Sequence, residues 1–216
     1  YQDLAKTGSS RKGFIEMDYL KILSMFVLGY LLGSLNSSLL VGKAYGVDVR
    51  KHGSGNAGAT NTLRTLGKKA AVFVVLGDAL KGVVACIIGG LVYEDAGRMV
   101  AGFGAILGHN WPLYFKFKGG KGVLTSFAVV LMIDWKVALI LFGVFALVVA
   151  ISRYISLGSI IASALFPLAA YIHKGNDRLY VAFAVIFAVL IIFRHRSNIQ
   201  RIVQGTESKF GKKKTA

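Results

Sequence analysis

Cysteine, proline and acidic side chains are scarce in this sequence. The one cysteine, Cys86, sits in an apolar run, which excludes intrachain disulfides and any cysteine-based metal site. Charged residues make up 17% of the chain, against about 25% in an average soluble domain, while hydrophobic residues reach 55%. That shortage of charge, with a mean hydropathy of +0.60, excludes disorder, collagen and a disulfide scaffold. It argues against a soluble globular domain and for a polytopic membrane protein. Proline occurs twice and glycine 26 times, and glycines within apolar runs suit close packing of membrane helices. Only 10 Asp and Glu face 26 Lys and Arg, a net charge of +16. In a soluble protein that imbalance would suggest nucleic acid. Here the cations lie between long apolar runs, which points to cytoplasmic loops and anionic ligands, with no nucleic-acid partner.

Apolar runs recur near 20–42, 70–92, 99–115, 122–133, 137–151, 159–173 and 179–193. A membrane-spanning helix needs about 20 residues, so the first two qualify outright and the shorter ones need flanking residues to complete them. The third and fourth are the weakest, and a re-entrant hairpin is the alternative there. Charge decides between the two. With seven crossings, one side receives most of the cations, in 43–69, 109–121, 152–158 and 194–216. The other side receives Arg98, Lys136, Lys174 and Arg178, besides the few before the first span. By the positive-inside rule the rich side is cytoplasmic, the N-terminus outside and the C-terminus inside. A hairpin would carry Lys116, Lys118 and Lys121 into the membrane from outside, at several kcal/mol per uncompensated charge. The fold class expected is therefore all-α, a polytopic membrane protein with seven transmembrane helices. Residues 1–16 read as an appended or flexible tail ahead of Met17, residues 17–207 as one membrane domain, and 208–216 as a basic tail. No signal peptide, internal repeat or matched pair of interrupted helices is visible.

Three segments on the cation-rich side differ from ordinary loops. The first runs from Val49 to Arg64 and is rich in Gly, Ser, Thr and Asn. Glycines let backbone N–H groups converge on an anion. Ser54, Asn56, Thr60 and Asn61 add neutral hydrogen bonds, a helix starting near Asn56–Asn61 would present its N-terminus, and Arg64 supplies a planar fork for phosphate. It is no P-loop, because no Gly-Lys-Ser/Thr follows at the required spacing. The second runs from Gly108 to Gly122 and contains Lys118-Gly119-Gly120-Lys121-Gly122, a cationic glycine-rich turn at a membrane boundary. Its lysines suit phosphate as point charges. The third runs from Arg194 to Glu207. Its Ile199, Ile202 and Val203 form an apolar stripe for a helix at the membrane interface, and a plain cationic flank is the alternative.

Asp78 and Lys81 stand three apart inside the second span, where charges are expensive and either functional or a structural pair. Ser156 reads as a helix cap and Ser159 as a residue facing the site. His52, His109 and His195 share the cation-rich side while His173 lies opposite; none has metal-ligand spacing, so no metal is expected. No Ser-His-Asp arrangement is identifiable.

Taken together, Ser54-Gly55-Asn56, Gly58-Ala59-Thr60-Asn61, Gly108-His109, Pro112, Lys118-Gly119-Gly120-Lys121-Gly122, Arg194-His195-Arg196 and Gly205 through Glu207 resemble the motifs of the bacterial acyl-phosphate:glycerol-3-phosphate 1-acyltransferases, the PlsY family. The resemblance covers residues 17–207. It implies seven transmembrane helices in the bacterial inner (cytoplasmic) membrane, with the active site facing the cytoplasm. It implies direct acyl transfer from a fatty acyl phosphate to the 1-hydroxyl of glycerol 3-phosphate, giving lysophosphatidic acid and phosphate, the first step of phospholipid synthesis. Partners would be those two substrates and the lipid bilayer, without a cofactor. By the resemblance Ser54, Arg64, Lys121, His195 and Asn198 are the catalytic set. Asn56, Thr60, Asn61, Gly119, Gly120 and Ser159 join them in binding substrate, and Glu207 tethers the C-terminal segment. The acyl phosphate's own phosphate would accept the hydroxyl proton. A phosphate-compound transporter is the alternative of a different class; it would need polar residues reaching through to the opposite side. A non-catalytic scaffold leaves the three segments unexplained.

Overall fold

The computed structural model describes residues 2–211, with side chains from Asp18 onward. Residues 212–216, the end of the expected basic tail, lie outside the described residues. The first helix, α1, runs Gln2–Ser34 and so incorporates the segment expected as a tail. A short α2, Ser37–Ala44, follows, capped by the Asn36 side chain on the Leu39 N–H. A 3-10 turn at Val49–Lys51 is capped in the same way by Asp48.

The long helical stretch α3, Ala59–Asn110, is broken in two places by non-helical backbone. Gly67 has φ 84°, and Tyr93 and Glu94 leave helical geometry, with Glu94 at φ 44°. The stretches on either side of Glu94 then lie against each other. A Cβ on Gly89 would stand 2.1 Å from the Gly97 carbonyl oxygen, and one on Gly97 would stand 2.0 Å from that of Gly89. The runs expected at 70–92 and 99–115 are thus two arms of one hairpin. Its second arm packs on α1 at equally short range. Cβ atoms on Gly29 and Gly33 would meet the Ala101 and Ala105 carbonyl oxygens at 2.1 Å. Glycine makes this backbone-to-backbone approach available, as small residues do between membrane helices.

The remaining helices are α4 (Val123–Ile133), α5 (Trp135–Ser152), α6 (Ile155–Lys174), α7 (Arg178–Arg194) and α8 (Arg196–Val203). Buried rings of Phe166, Tyr180, Phe183 and Phe187 meet mostly edge-on between α6 and α7, with Phe166 and Phe187 centroids 5.1 Å apart. Exposure is inverted relative to a water-soluble fold. Leu91, Ile151 and Ile172 are among the most exposed side chains, while Asn36, Asn61, Asn110, Thr62 and Thr125 are fully buried. Such a surface suits lipid.

Four helices, Asp18–Ala44, Ala59–Phe115, Trp135–Ser152 and Ile155–Lys174, are long and apolar enough to cross a membrane. A fifth qualifies if α7 and α8, bent by 56° at His195, count as one span. The helix α4 has 11 residues and is about 16 Å long, roughly half the hydrocarbon thickness. It ends where Asp134 caps α5 through the Val137 N–H.

Candidate active site

The three segments singled out in the sequence converge on one cavity of about 530 Å³. Ser54, Asn56, Thr60, Asn61 and Arg64 line it from the first segment, Lys121 and Gly122 from the second, and His195, Asn198, Arg201 and Glu207 from the third. Ser156, Ser159 and Ser163 descend its wall along α6. Below them the lining turns apolar, with Phe127, Val130, Leu141, Phe142, Phe145 and Phe187.

Helix ends explain the polarity of the upper half. The helices α3, α4, α6 and α8 start at Gly58, Gly122, Tyr154 and His195, and none of these has a side-chain cap. All four starts contribute lining residues. By contrast α5 and α7, which begin away from the cavity, are capped by Asp134 and Asp177. Uncapped N-termini present free N–H groups and the positive end of the helix dipole. Four of them around one space, with Arg64, Lys121 and Arg201, make this end of the cavity electropositive and suited to an anion.

A hydrogen-bonded chain crosses the cavity mouth. Lys121 Nζ donates to Asn198 Oδ1, and Asn198 Nδ2 donates to Glu207 Oε1 at 2.7 Å. The same oxygen accepts from Ser156 Oγ at 2.7 Å, and Arg201 Nε donates to Oε2 at 2.7 Å. Burial alone would raise the Glu207 carboxyl, but these hydrogen bonds from Ser156, Asn198 and Arg201 prevail and hold it below the usual range. Burial and the surrounding arginines push the Lys121 ammonium down to about 8, against the pull of Glu207. The C-terminal stretch is fixed over the cavity by Arg64 donating to the Ser208 carbonyl at 3.4 Å and by Phe210 N–H donating to Arg153 O at 2.7 Å.

Some expected site residues do other work. Asn61 lines the cavity, but its Oδ1 accepts from Ser54 N–H at 2.8 Å and its Nδ2 donates to Val49 O and His52 O. It shapes the first segment from within. Gly119 and Gly120 lie outside the lining. The Gly120 N–H donates to His109 O at 3.1 Å, its carbonyl accepts from Arg194 Nη2 at 2.5 Å, and a Cβ there would sit 2.2 Å from His109 Nε2. These glycines bring the turn close enough to seat Lys121. Ser156 is the second residue of α6, two positions past the capping position at Tyr154, and its hydroxyl goes to Glu207 instead.

The histidines separate cleanly. His52 is exposed, and His109 is buried against Asp78 and Lys81. His195 donates its Nδ1 proton to Ile191 O at 2.8 Å, because a carbonyl can only accept; Nε2 is left as the acceptor. The sequence reading did not single out Arg201 or Ser163 as cavity residues. Spacing offered a signal for Ser163, which lies two helical turns below Ser156 on the same face. For Arg201 it offered none.

Buried polar walls, an apolar exterior and a cavity cationic at one end and apolar at the other define a helical integral membrane protein built around an amphipathic cleft. The model of the family "Glycerol-3-phosphate acyltransferase" matches residues 23–205. A glycerol-3-phosphate acyltransferase of Thermoanaerobacter sp. (strain X514) is 44% identical over 188 residues, covering 87% of this chain and 94% of the relative. That of Clostridioides difficile (strain 630) is 42% identical over 205 residues, covering 92% and 100%. The crystal structure of an integral membrane glycerol 3-phosphate acyltransferase, PlsY, in its glycerol 3-phosphate form superposes with TM-score 0.83 at 38% identity, covering 88% of this chain and 96% of that one. The chain belongs to the glycerol-3-phosphate acyltransferase (PlsY) family.

Proposed function

We propose that this protein transfers a fatty acyl group from an acyl phosphate to the 1-hydroxyl of glycerol 3-phosphate. The observation that carries the reading is the single cavity with four uncapped helix N-termini and three cations above an apolar chamber. An acyl phosphate needs both halves at once. Glycerol 3-phosphate brings a second phosphate, which accounts for more cationic groups than one anion requires. Family membership and the likeness to a structure named for its glycerol 3-phosphate form support the acceptor. The apolar chamber abuts, through Phe187, the packed Phe166–Phe183–Phe187 cluster, which favours an enzyme over a transporter.

Ser54, Asn56, Thr60, Arg64 and the α3 N-terminus hold one phosphate, and Lys121 with the α4 N-terminus holds the other. His195 Nε2 and Asn198 orient the glycerol hydroxyl. The 1-hydroxyl oxygen attacks the acyl carbonyl carbon, and the bond from that carbon to the phosphate oxygen breaks. The departing phosphate takes the hydroxyl proton, giving lysophosphatidic acid and inorganic phosphate. An acyl phosphate is already activated, so positioning supplies much of the rate, up to about 7–11 kcal/mol in favourable cases. No covalent acyl-enzyme on Ser54 or Ser159 forms. The chain crosses the bacterial inner membrane seven times, and the cavity opens to the cytoplasm.

The test is purified protein with acyl phosphate and glycerol 3-phosphate, followed for lysophosphatidic acid. Acyl phosphate alone should support product, with acyl-CoA and acyl carrier protein inert. Product from acyl-CoA at equal rate, or a trapped acyl-serine, would overturn the donor or the direct transfer respectively.

A further inference from the structure

Asp78, Lys81 and His109 form a charged knot beside the cavity that the acyl-transfer chemistry does not use. All three are almost completely buried, and Asp78 and His109 line the cavity wall. Lys81 Nζ lies among four acceptors: Asp78 Oδ1 and His109 Nδ1 at 2.9 Å, Gly33 O at 3.0 Å and Leu35 O at 3.2 Å. The two carbonyls belong to the end of α1, where the helix dipole is negative and the last C=O groups lack partners. An ammonium there meets both needs.

The knot is linked to the two elements that hold phosphate in the reading above, the Lys121 turn with the start of α4 and, through α2, the start of α3. On one side of Lys121, the His109 carbonyl accepts the Gly120 N–H at 3.1 Å. On the other, Thr125 in the first turn of α4 donates its hydroxyl to the Asp78 carbonyl at 2.9 Å. Asp78 Oδ1 also accepts the Ser37 N–H at 3.4 Å at the start of α2. The next residue, Ser38, shares a 2.8 Å hydrogen bond with Thr62 in the first turn of α3. A purely stabilising ion pair needs none of these links. Charges this deep are costly, and replacing both members of a buried pair is often harmless to stability while removing one is not.

We propose that Asp78, Lys81 and His109 are positioning residues for the phosphate end of the cavity. They set the spacing between Lys121 with the α4 N-terminus on one side and the α3 N-terminus on the other. The proposal rests on the acyl-transfer reading above.

The experiment compares wild type, Asp78→Asn/Lys81→Gln and Thr125→Val in steady-state assays with acyl phosphate and glycerol 3-phosphate, alongside thermal melting. The double variant removes both charges while keeping donors and acceptors. It should melt within a few degrees of wild type, with the KM for glycerol 3-phosphate raised about tenfold or more and kcat within about threefold. Its alkaline loss of affinity should also shift, since Lys121 is no longer held in the same place. Thr125→Val should melt normally with KM raised about threefold. Wild-type KM, kcat and pH profile in a folded double variant would reduce the knot to a stabilising pair and overturn the proposal. So would a loss of kcat with KM unchanged. If the double variant does not fold, Thr125→Val decides alone, and an unchanged KM overturns the proposal. An inactive wild type would instead overturn the acyl-transfer reading.

Discussion

Lys121 shows how much a single residue depends on its surroundings. As a free side chain it would titrate at about 10.4, but burial first, with Arg201, Arg194 and Arg64 around it, brings it to about 8. Phosphate binding uses the charged form, so the KM for glycerol 3-phosphate should climb above pH 8, approaching tenfold per unit. Stability moves the other way. Between about 8 and 10.4 the unfolded chain binds more protons at this group, so the fold gains stability from it as pH rises through that window. Loss of affinity there is therefore not unfolding, and melting temperatures recorded across the same pH series check this. Lys121→Arg should flatten the alkaline limb, because guanidinium stays charged. Arg64 is exposed at the cavity mouth and reaches the Ser208 carbonyl. Arg64→Lys should lower kcat/KM by about tenfold or more, since an ammonium cannot reproduce a two-pronged grip on phosphate. Near-normal activity in Arg64→Ala would make this residue a tether of the C-terminal segment only.

Between elements, glycine decides the geometry. The α1–α3 contact closes at Gly29, Gly33 and Gly108, where any Cβ would collide with backbone. Gly33→Ala forces the helices apart directly above Lys81, whose ammonium is bonded to the Gly33 carbonyl. The expected cost is about 1–3 kcal/mol, the usual range for overpacking. It should appear as a melting temperature lowered by several degrees, and an unchanged value would show that the interface can yield. The abundance of glycine in apolar runs foretold such contacts, but not which glycines pair, since pairing depends on how α3 folds back. That reversal falls at Tyr93–Glu94, and no glycine or proline marks either position. Composition did mark two parts of the cavity wall: the Gly-rich start of α3 and the Lys118–Gly122 turn stood out because glycine beside cations is unusual at a membrane boundary. The uncapped starts of α6 and α8 were not legible, since a serine at position 156 reads equally well as a cap.

At the scale of the whole molecule, the prediction concerns sidedness. In a Cys86→Ser background, cysteine at Lys69 or Lys209 should be labelled only from the cytoplasmic side, and cysteine at Glu94 or Asn176 only from outside. Labelling of Lys69→Cys and Glu94→Cys from the same face would break the seven-crossing arrangement.

The sequence by itself determined that this is a helical membrane protein and marked the three glycine- and cation-rich segments whose residues line one cavity. Those properties follow from local composition, because hydrocarbon thickness, charge cost and backbone freedom act residue by residue. Only the tertiary structure decided what each polar group is committed to. Asn61 is occupied with its own loop, Gly119 and Gly120 stand behind the wall, and Glu207 joins Ser156, Asn198 and Arg201. A hydrogen bond between residues 51 apart, as from Ser156 to Glu207, leaves no periodicity to read. It exists because the chain bends by 56° at His195 and so brings Asn198, Arg201 and Glu207 to the cavity beside α6, an approach between segments far apart in sequence.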